Sequence, residues 1–171
     1  NYTRNPLGRA RPTGEATVLN IPMFHFDQHL TERIRDAGTS TLPLWIFLAS
    51  HGMWGFALVI AVSMMLGVGT PIGWLALCIP VMVTHVATLG LQFACRRERP
   101  PESRSAIHMW WRTPSFPSAH AAGSMAFAVM VSVGLSEVSW FDVWIAVVLV
   151  GYAILIGASR LMVGVHYATD V

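Results

Sequence analysis

Lysine is absent from all 171 residues, and every one of the eleven basic side chains is arginine. Arginine presents a planar fork of donors that matches phosphate oxygens, whereas lysine is a point charge. Charge of any kind is scarce: 12% of residues are charged and 54% are hydrophobic, about half the charge of an ordinary soluble domain. The net charge of +2 is too small to suggest a nucleic-acid partner. Only two cysteines occur, Cys78 and Cys95, in or beside an apolar run. They support neither a disulfide framework nor a metal-ligand pattern, and read as packing residues. No signal or transit peptide is visible, although the chain opens on asparagine and closes on valine as if trimmed.

What is abundant is apolar sequence. Residues 1–20 are a polar, aperiodic tail or loop. Over 21–41, Phe26, Leu30 and Ile34 recur at a spacing of four among charged residues and Gly38 closes the run, which predicts a short amphipathic helix at the membrane interface. From 42 to 171 the chain reads as a membrane domain with four long apolar runs: Pro43–Leu66, Ile72–Ala94, Ser118–Leu135 and Val143–Ala158. A helix needs roughly 20 predominantly apolar residues to cross a bilayer, and the last run reaches that only by continuing into Ser159 and Arg160. Tryptophans 45, 74, 110, 111, 140 and 144 sit near run ends, where an aromatic belt belongs. The expected fold is therefore an all-α integral-membrane helical bundle.

The connections differ in character. Those at 67–71 and 136–142 are short, while 95–117 is long and holds five arginines. Four crossings place the N-terminal region, this long loop and the C-terminus at one membrane face. Three chemically loaded segments meet there: Arg99-Pro100; Pro117-Ser118-Ala119-His120; and Ser159-Arg160 followed by His166 and Asp170. Pro117-Ser118 is a helix-start signal, and free N–H groups at a helix N-terminus attract anions. His166 and Asp170 are four apart, so one helical turn would face them alike, and the carboxylate could hold the tautomer that leaves the other imidazole nitrogen free. The remaining loop arginines, Arg96, Arg97, Arg104 and Arg112, read as mostly solvated charge. His51 and His85, inside apolar runs without an acidic partner, read as neutral packing residues. Trp110 and Trp111 read as loop anchors.

The order Arg-Pro, Pro-Ser-x-His, Ser-Arg-x5-His-x3-Asp resembles the type-2 phosphatidic acid phosphatase superfamily, which includes lipid phosphate phosphatases, prenyl diphosphate phosphatases, glucose-6-phosphatase and vanadium haloperoxidases. The resemblance covers roughly Ile72 to Val171. It implies a six-span fold of which four spans are visible, the others lying before Asn1 and after Val171. It implies that His166 attacks phosphorus and forms a phosphohistidine, that Asp170 orients it, and that His120 protonates the leaving oxygen. Arg99, Arg160, Ser118 and the Ala119 N–H would bind the phosphate, with no metal and no cofactor. Gln92 stands where the family usually has lysine, and Ala119 where glycine is usual; alanine is strained there only if φ is positive.

The expected function is thus hydrolysis of a membrane lipid phosphate or diphosphate, of the prenyl diphosphate or phosphatidate class. A homologue that binds lipid phosphate without efficient turnover is the alternative, prompted by Gln92. A transporter would leave the three motifs unexplained, and a soluble haloperoxidase has no use for the spans. The resemblance implies the cell (inner) membrane with the site facing outward or toward the periplasm, although every arginine lies on the site's side, which the positive-inside rule would make cytoplasmic.

Overall fold

The structure is a computed structural model, and it describes residues 22–67, 69–101, 105–109, 113–134 and 140–171. It is all-helical among those residues. The helices are α1 (Pro22–Ala37), α2 (Leu42–Met65), α3 (Pro71–Cys95), α4 (Ala119–Gly134) and α5 (Trp140–Met162), with short 3-10 turns at Thr39–Thr41 and Ala168–Asp170. Trp110, Trp111, Arg104, Arg112 and the tail at 1–20 lie outside the described residues.

Helix starts follow local chemistry. Pro43 and Pro71 occupy first-turn positions, where a missing N–H costs nothing. The Thr70 hydroxyl caps α3 by accepting from the Gly73 N–H at 3.1 Å. Pro80 lies inside α3 and is accommodated in the span. Three stretches are long and apolar enough to cross a membrane, Thr39–Met65, Pro71–Cys95 and Asp142–Met162. The expected third span is shorter: α4 has 16 described helical residues, about 24 Å at 1.5 Å per residue. The fourth span continues through Ser159 and Arg160 to Met162, as its length required.

α4 packs between α3 and α5, and α2 lies against α5. Phe56, Phe127, Ala128, Leu149, Ala153 and Ile156 form the core between them. The Phe56 ring meets Phe127 at 4.6 Å and Tyr152 edge-on at 5.3 Å, centroid to centroid. Tyr152 spends its hydroxyl on the Gly52 carbonyl at 2.7 Å, satisfying the one polar atom it brings inside. The outer faces remain apolar, with Leu75, Ile79, Met82 and Val86 of α3 all exposed. That is the pattern of helices solvated by lipid.

α1 is turned opposite to the expectation for a helix resting on a protein core. Phe26 and Leu30 are exposed, and the polar Asp27 and Thr31 are buried against the bundle. This inward polar face brings α1 to the functional end.

Candidate functional site

The N-terminus of α2, the C-terminus of α3, the N-terminus of α4 and the C-terminus of α5 share one end of the bundle, and the three motif segments meet there. α3 stops at Arg96, which closes it in a left-handed conformation with φ 49°. The chain then runs extended through Arg99. The Ser115 N–H donates to the Arg97 carbonyl at 2.8 Å and its hydroxyl to the Glu98 carbonyl at 3.1 Å. These bonds fold the long loop back, so that Arg99 is held by Thr113, through Nε on its carbonyl at 2.7 Å and Nη2 on its hydroxyl at 3.1 Å.

α5 ends through Gly164, at φ 76°, a left-handed position that glycine adopts without strain. The turn sends Val165 and His166 back beneath the loop. Arg99 Nη1 donates to the Val165 carbonyl at 2.9 Å and lies 3.0 Å from His166 Nε2. A guanidinium only donates, so Nε2 must carry the lone pair and Nδ1 the proton. Nδ1 points toward Asp170 Oδ2 at 3.5 Å. This is an electrostatic pairing at the edge of reach, because Nδ1 finds no well-aligned hydrogen-bond acceptor. Burial is the main cause that lowers the His166 pKa to about 4; Asp170 pulls it up, and Arg99 and Arg160 push it further down. The imidazole is therefore neutral at ordinary pH.

His166 and Asp170 do come together, but not on a helix. His166 lies in the loop after α5, and Asp170 closes the 3-10 turn Ala168–Asp170. The Asp170 carboxylate accepts from the Tyr167 N–H at 2.8 Å, and its backbone carbonyl accepts from the Ser118 N–H at 2.8 Å. The second and third motifs are thus joined through the main chain, and this N–H of Ser118 is already committed.

Ala119 and His120 open α4, whose ladder begins with the Ala122 N–H on the Ser118 carbonyl at 2.9 Å. The amides of Ala119 and His120 precede that first bond and belong to the anion-attracting end of the helix. Ala119 has no positive φ, so alanine in place of glycine is a mild change. His120 is within electrostatic reach of Arg160, His166, His85 and Arg99. Arg160 is buried, with Nη1 on the Ala49 carbonyl of α2 at 2.9 Å, while its Nε has no hydrogen-bond partner. Gln92 is buried too. Its amide nitrogen donates to the Pro117 carbonyl at 2.7 Å, and its oxygen is unpaired. Where the family's lysine would bring a charge, this residue fixes the start of the second motif.

Among the other histidines, His85 packs its ring against Gly123 of α4, with Nδ1 3.0 Å from the Val81 carbonyl. His51 is exposed and stacks on Phe47 at 5.2 Å.

One reading from sequence is corrected. Arg97 is not solvated charge. It reaches the buried Asp27 of α1 in a close ion pair, Asp170 Oδ1 at 2.8 Å and the Thr169 hydroxyl at 2.6 Å. Its guanidinium also lies 4.8 Å from the centre of the Tyr167 ring. The residues that sequence reasoning misses are therefore Arg97 and Asp27. Asp27 and Thr31, four apart and about 100° round the helix from Phe26 and Leu30, are the available signal. A recess of about 260 Å³ adjoins this region, lined by Gln28, His29 and Glu32 of α1 with Pro100, Pro101, Gly164 and Tyr167 among others.

The sequence model of the PAP2 superfamily matches residues 73–171. The chain belongs to the PAP2 superfamily. It is 37% identical over 101 residues to the decaprenylphosphoryl-5-phosphoribose phosphatase of Mycolicibacterium smegmatis, a stretch that is 57% of this chain and 50% of that protein. The chain thus spans about half the length of that relative. The fold is similar to that of a transmembrane PAP2-type phosphatidylglycerolphosphate phosphatase from Bacillus subtilis, with a TM-score of 0.69 over 91% of this chain and 80% of the other, at 20% identity. At that identity the likeness speaks for the fold alone. This PAP2 chain is a membrane protein, and its matched region contains all three motif segments.

Proposed function

We propose that this PAP2 protein hydrolyses a membrane lipid phosphate or diphosphate through a phosphohistidine on His166, with the site facing outward from the cell membrane. The observation that carries the reading is the setting of the His166 imidazole, with Nε2 3.0 Å from the Arg99 guanidinium and Nδ1 3.5 Å from Asp170 Oδ2, which leaves the lone pair at Nε2. The Nε2 lone pair attacks phosphorus and the bond to the leaving oxygen breaks; that oxygen keeps the bonding pair and takes a proton from His120, which the bound phosphate anion holds as imidazolium. Asp170 balances the positive charge that develops on the ring. Water then attacks the phosphohistidine while His120 accepts its proton, the P–N bond breaks, and inorganic phosphate leaves.

Phosphoryl transfer needs mainly positioning and fixed positive charge around three oxygens. Arg99, Arg160 and the amides of Ala119 and His120 supply that charge, and the buried Ser118 shapes the turn that presents them. Gln92 supplies none, which predicts a slower enzyme than one with lysine there. The spans favour a substrate whose tail stays in lipid. The relative named for a decaprenylphosphoryl-phosphoribose substrate adds support for a prenyl-linked phosphate.

Phosphate release from a panel of prenyl phosphates, prenyl diphosphates, phosphatidate and phosphatidylglycerolphosphate tests this reading. Turnover is expected with at least one lipid and loss of it in His166→Ala. Equal release by both proteins would rule the enzyme reading out. Lipid binding without turnover would favour a binding homologue.

A further inference from the structure

α1 lies outside the region that the family model matches, at 73–171, yet it is bonded to the segment that follows the candidate nucleophile. Asp27 is buried, with 1% of its surface exposed. Its Oδ1 accepts from the Thr169 N–H at 3.1 Å and its Oδ2 from the Thr169 hydroxyl at 2.7 Å. One turn on, the Thr31 hydroxyl donates to the Asp27 carbonyl at 2.7 Å and accepts from the Ala168 N–H at 2.9 Å. Gln28, between them, meets the Tyr167 side chain. Two of the three residues in the turn that carries Asp170, Ala168 and Thr169, are therefore bound to one helix.

Arg97 completes the connection, because one guanidinium bridges Asp27 and Asp170. A buried carboxylate left without its cation is strongly disfavoured. Asp27 thus keeps Arg97 in place, and Arg97 keeps Asp170 aimed. The second oxygen of Asp170 is the one that faces His166 Nδ1. The path from α1 to the imidazole has three steps: Asp27 to Arg97, Arg97 to Asp170, Asp170 to His166.

We propose that Asp27 and Arg97 are positioning residues: α1 clamps the terminal turn, sets the orientation of Asp170, and through it holds the proton of His166 on Nδ1. Neither residue touches the reacting atoms. The proposal rests on the reading of His166 as the nucleophile. Arginine is required because lysine, a single point of charge, cannot serve two carboxylates at fixed geometry.

The test is steady-state kinetics of the full chain in detergent with farnesyl diphosphate and with phosphatidate, using the better substrate. Asp27→Asn is expected to lower kcat about tenfold or more with KM within about twofold, since orientation and not substrate binding is lost. Asp36→Asn, an exposed carboxylate on the same helix, is expected to match the wild type. The discriminating readout is the double variant. Asp27→Asn with Asp170→Asn should be no worse than Asp170→Asn alone, because both break one path. Wild-type kcat in Asp27→Asn, or losses that multiply, would overturn the proposal, since a merely structural role adds independently. If Asp27→Asn does not fold, Arg97→Lys replaces it, with the same coupling to Asp170→Asn expected and the same contrary results. His166→Ala separates the two levels. Full turnover in it, or a wild type inert on the whole lipid panel, removes the underlying reading; loss in it beside an unaffected Asp27→Asn removes the clamp alone.

Discussion

Arg99 Nη1 donates to the lone pair of His166 Nε2 at 3.0 Å. The atom proposed to attack phosphorus is therefore capped by the guanidinium proposed to bind phosphate. An entering phosphoryl group must come between them and take over the donor, which delivers the arginine to an equatorial oxygen as the nitrogen is uncovered. Arg99→Gln, which removes one charge-assisted hydrogen bond of about 1.5–3 kcal/mol, should lower kcat/KM about ten- to a hundred-fold. Kinetics on the best lipid of the panel checks it; an unchanged kcat/KM would place Arg99 outside the phosphate cradle.

The acid limb of activity should lie well below the ordinary histidine range. Burial brings His166 down to about 4, so the neutral, attacking form persists until the pH approaches that value. The kcat/KM profile reports free-enzyme groups and should show this limb near pH 4 rather than 6.5. Removing the positive charge in Arg99→Gln should move the limb to higher pH, and Asp170→Asn should move it lower. Stability follows the same sign. The unfolded chain binds the proton more readily between about 4 and 6.5, so stability contributed by neutral His166 is present above that window and is lost as pH falls through it.

Gly123 of α4 faces the His85 ring of α3 at close range. A Cβ there would run into the His85 ring, on the helix that presents His120. Gly123→Ala should destabilise the fold by about 1–3 kcal/mol, read as a lowered thermal midpoint in detergent. His85→Ala in the same chain should recover part of that loss. No shift in the single variant would mean that the helices separate freely.

Gln92 is the residue by which this cradle departs from the family's pattern. Its amide holds the Pro117 carbonyl at 2.7 Å and brings no charge. Gln92→Lys should tighten inhibition by orthovanadate about ten- to a hundred-fold, the value of one charge-assisted bond. An unchanged inhibition constant would show that the position does not face the bound anion.

Much of this architecture is legible in the amino-acid sequence. Apolar runs opened by Pro43, Pro71 and Pro117 delimit helices because membrane length and proline chemistry leave few alternatives. His166, Asp170, Arg160, His120 and Arg99 are legible because motif order survives any loop conformation. Two things are hidden for a common reason. Spacing of four suggests a helical His166–Asp170 pair, but the left-handed Gly164 turn breaks α5 first, and main-chain bonds to Tyr167 and Ser118 make the pairing instead. Arg97 looks like one loop arginine among several because its partner Asp27 lies 70 residues away. Local pattern carries no record of such a contact, apart from a lone acid on the wrong face of an amphipathic helix.

The central claim is a covalent one, and trapping the intermediate addresses it most directly. The full chain, mixed with a lipid bearing a labelled terminal phosphate, quenched in alkali within a turnover and digested, should yield label on the peptide that contains His166. The label should resist base and be lost in acid, as a phosphoramidate is, and should be absent from His166→Ala. Label on another residue, or wild-type turnover with no label on His166 at any quench time, would contradict His166 as the nucleophile.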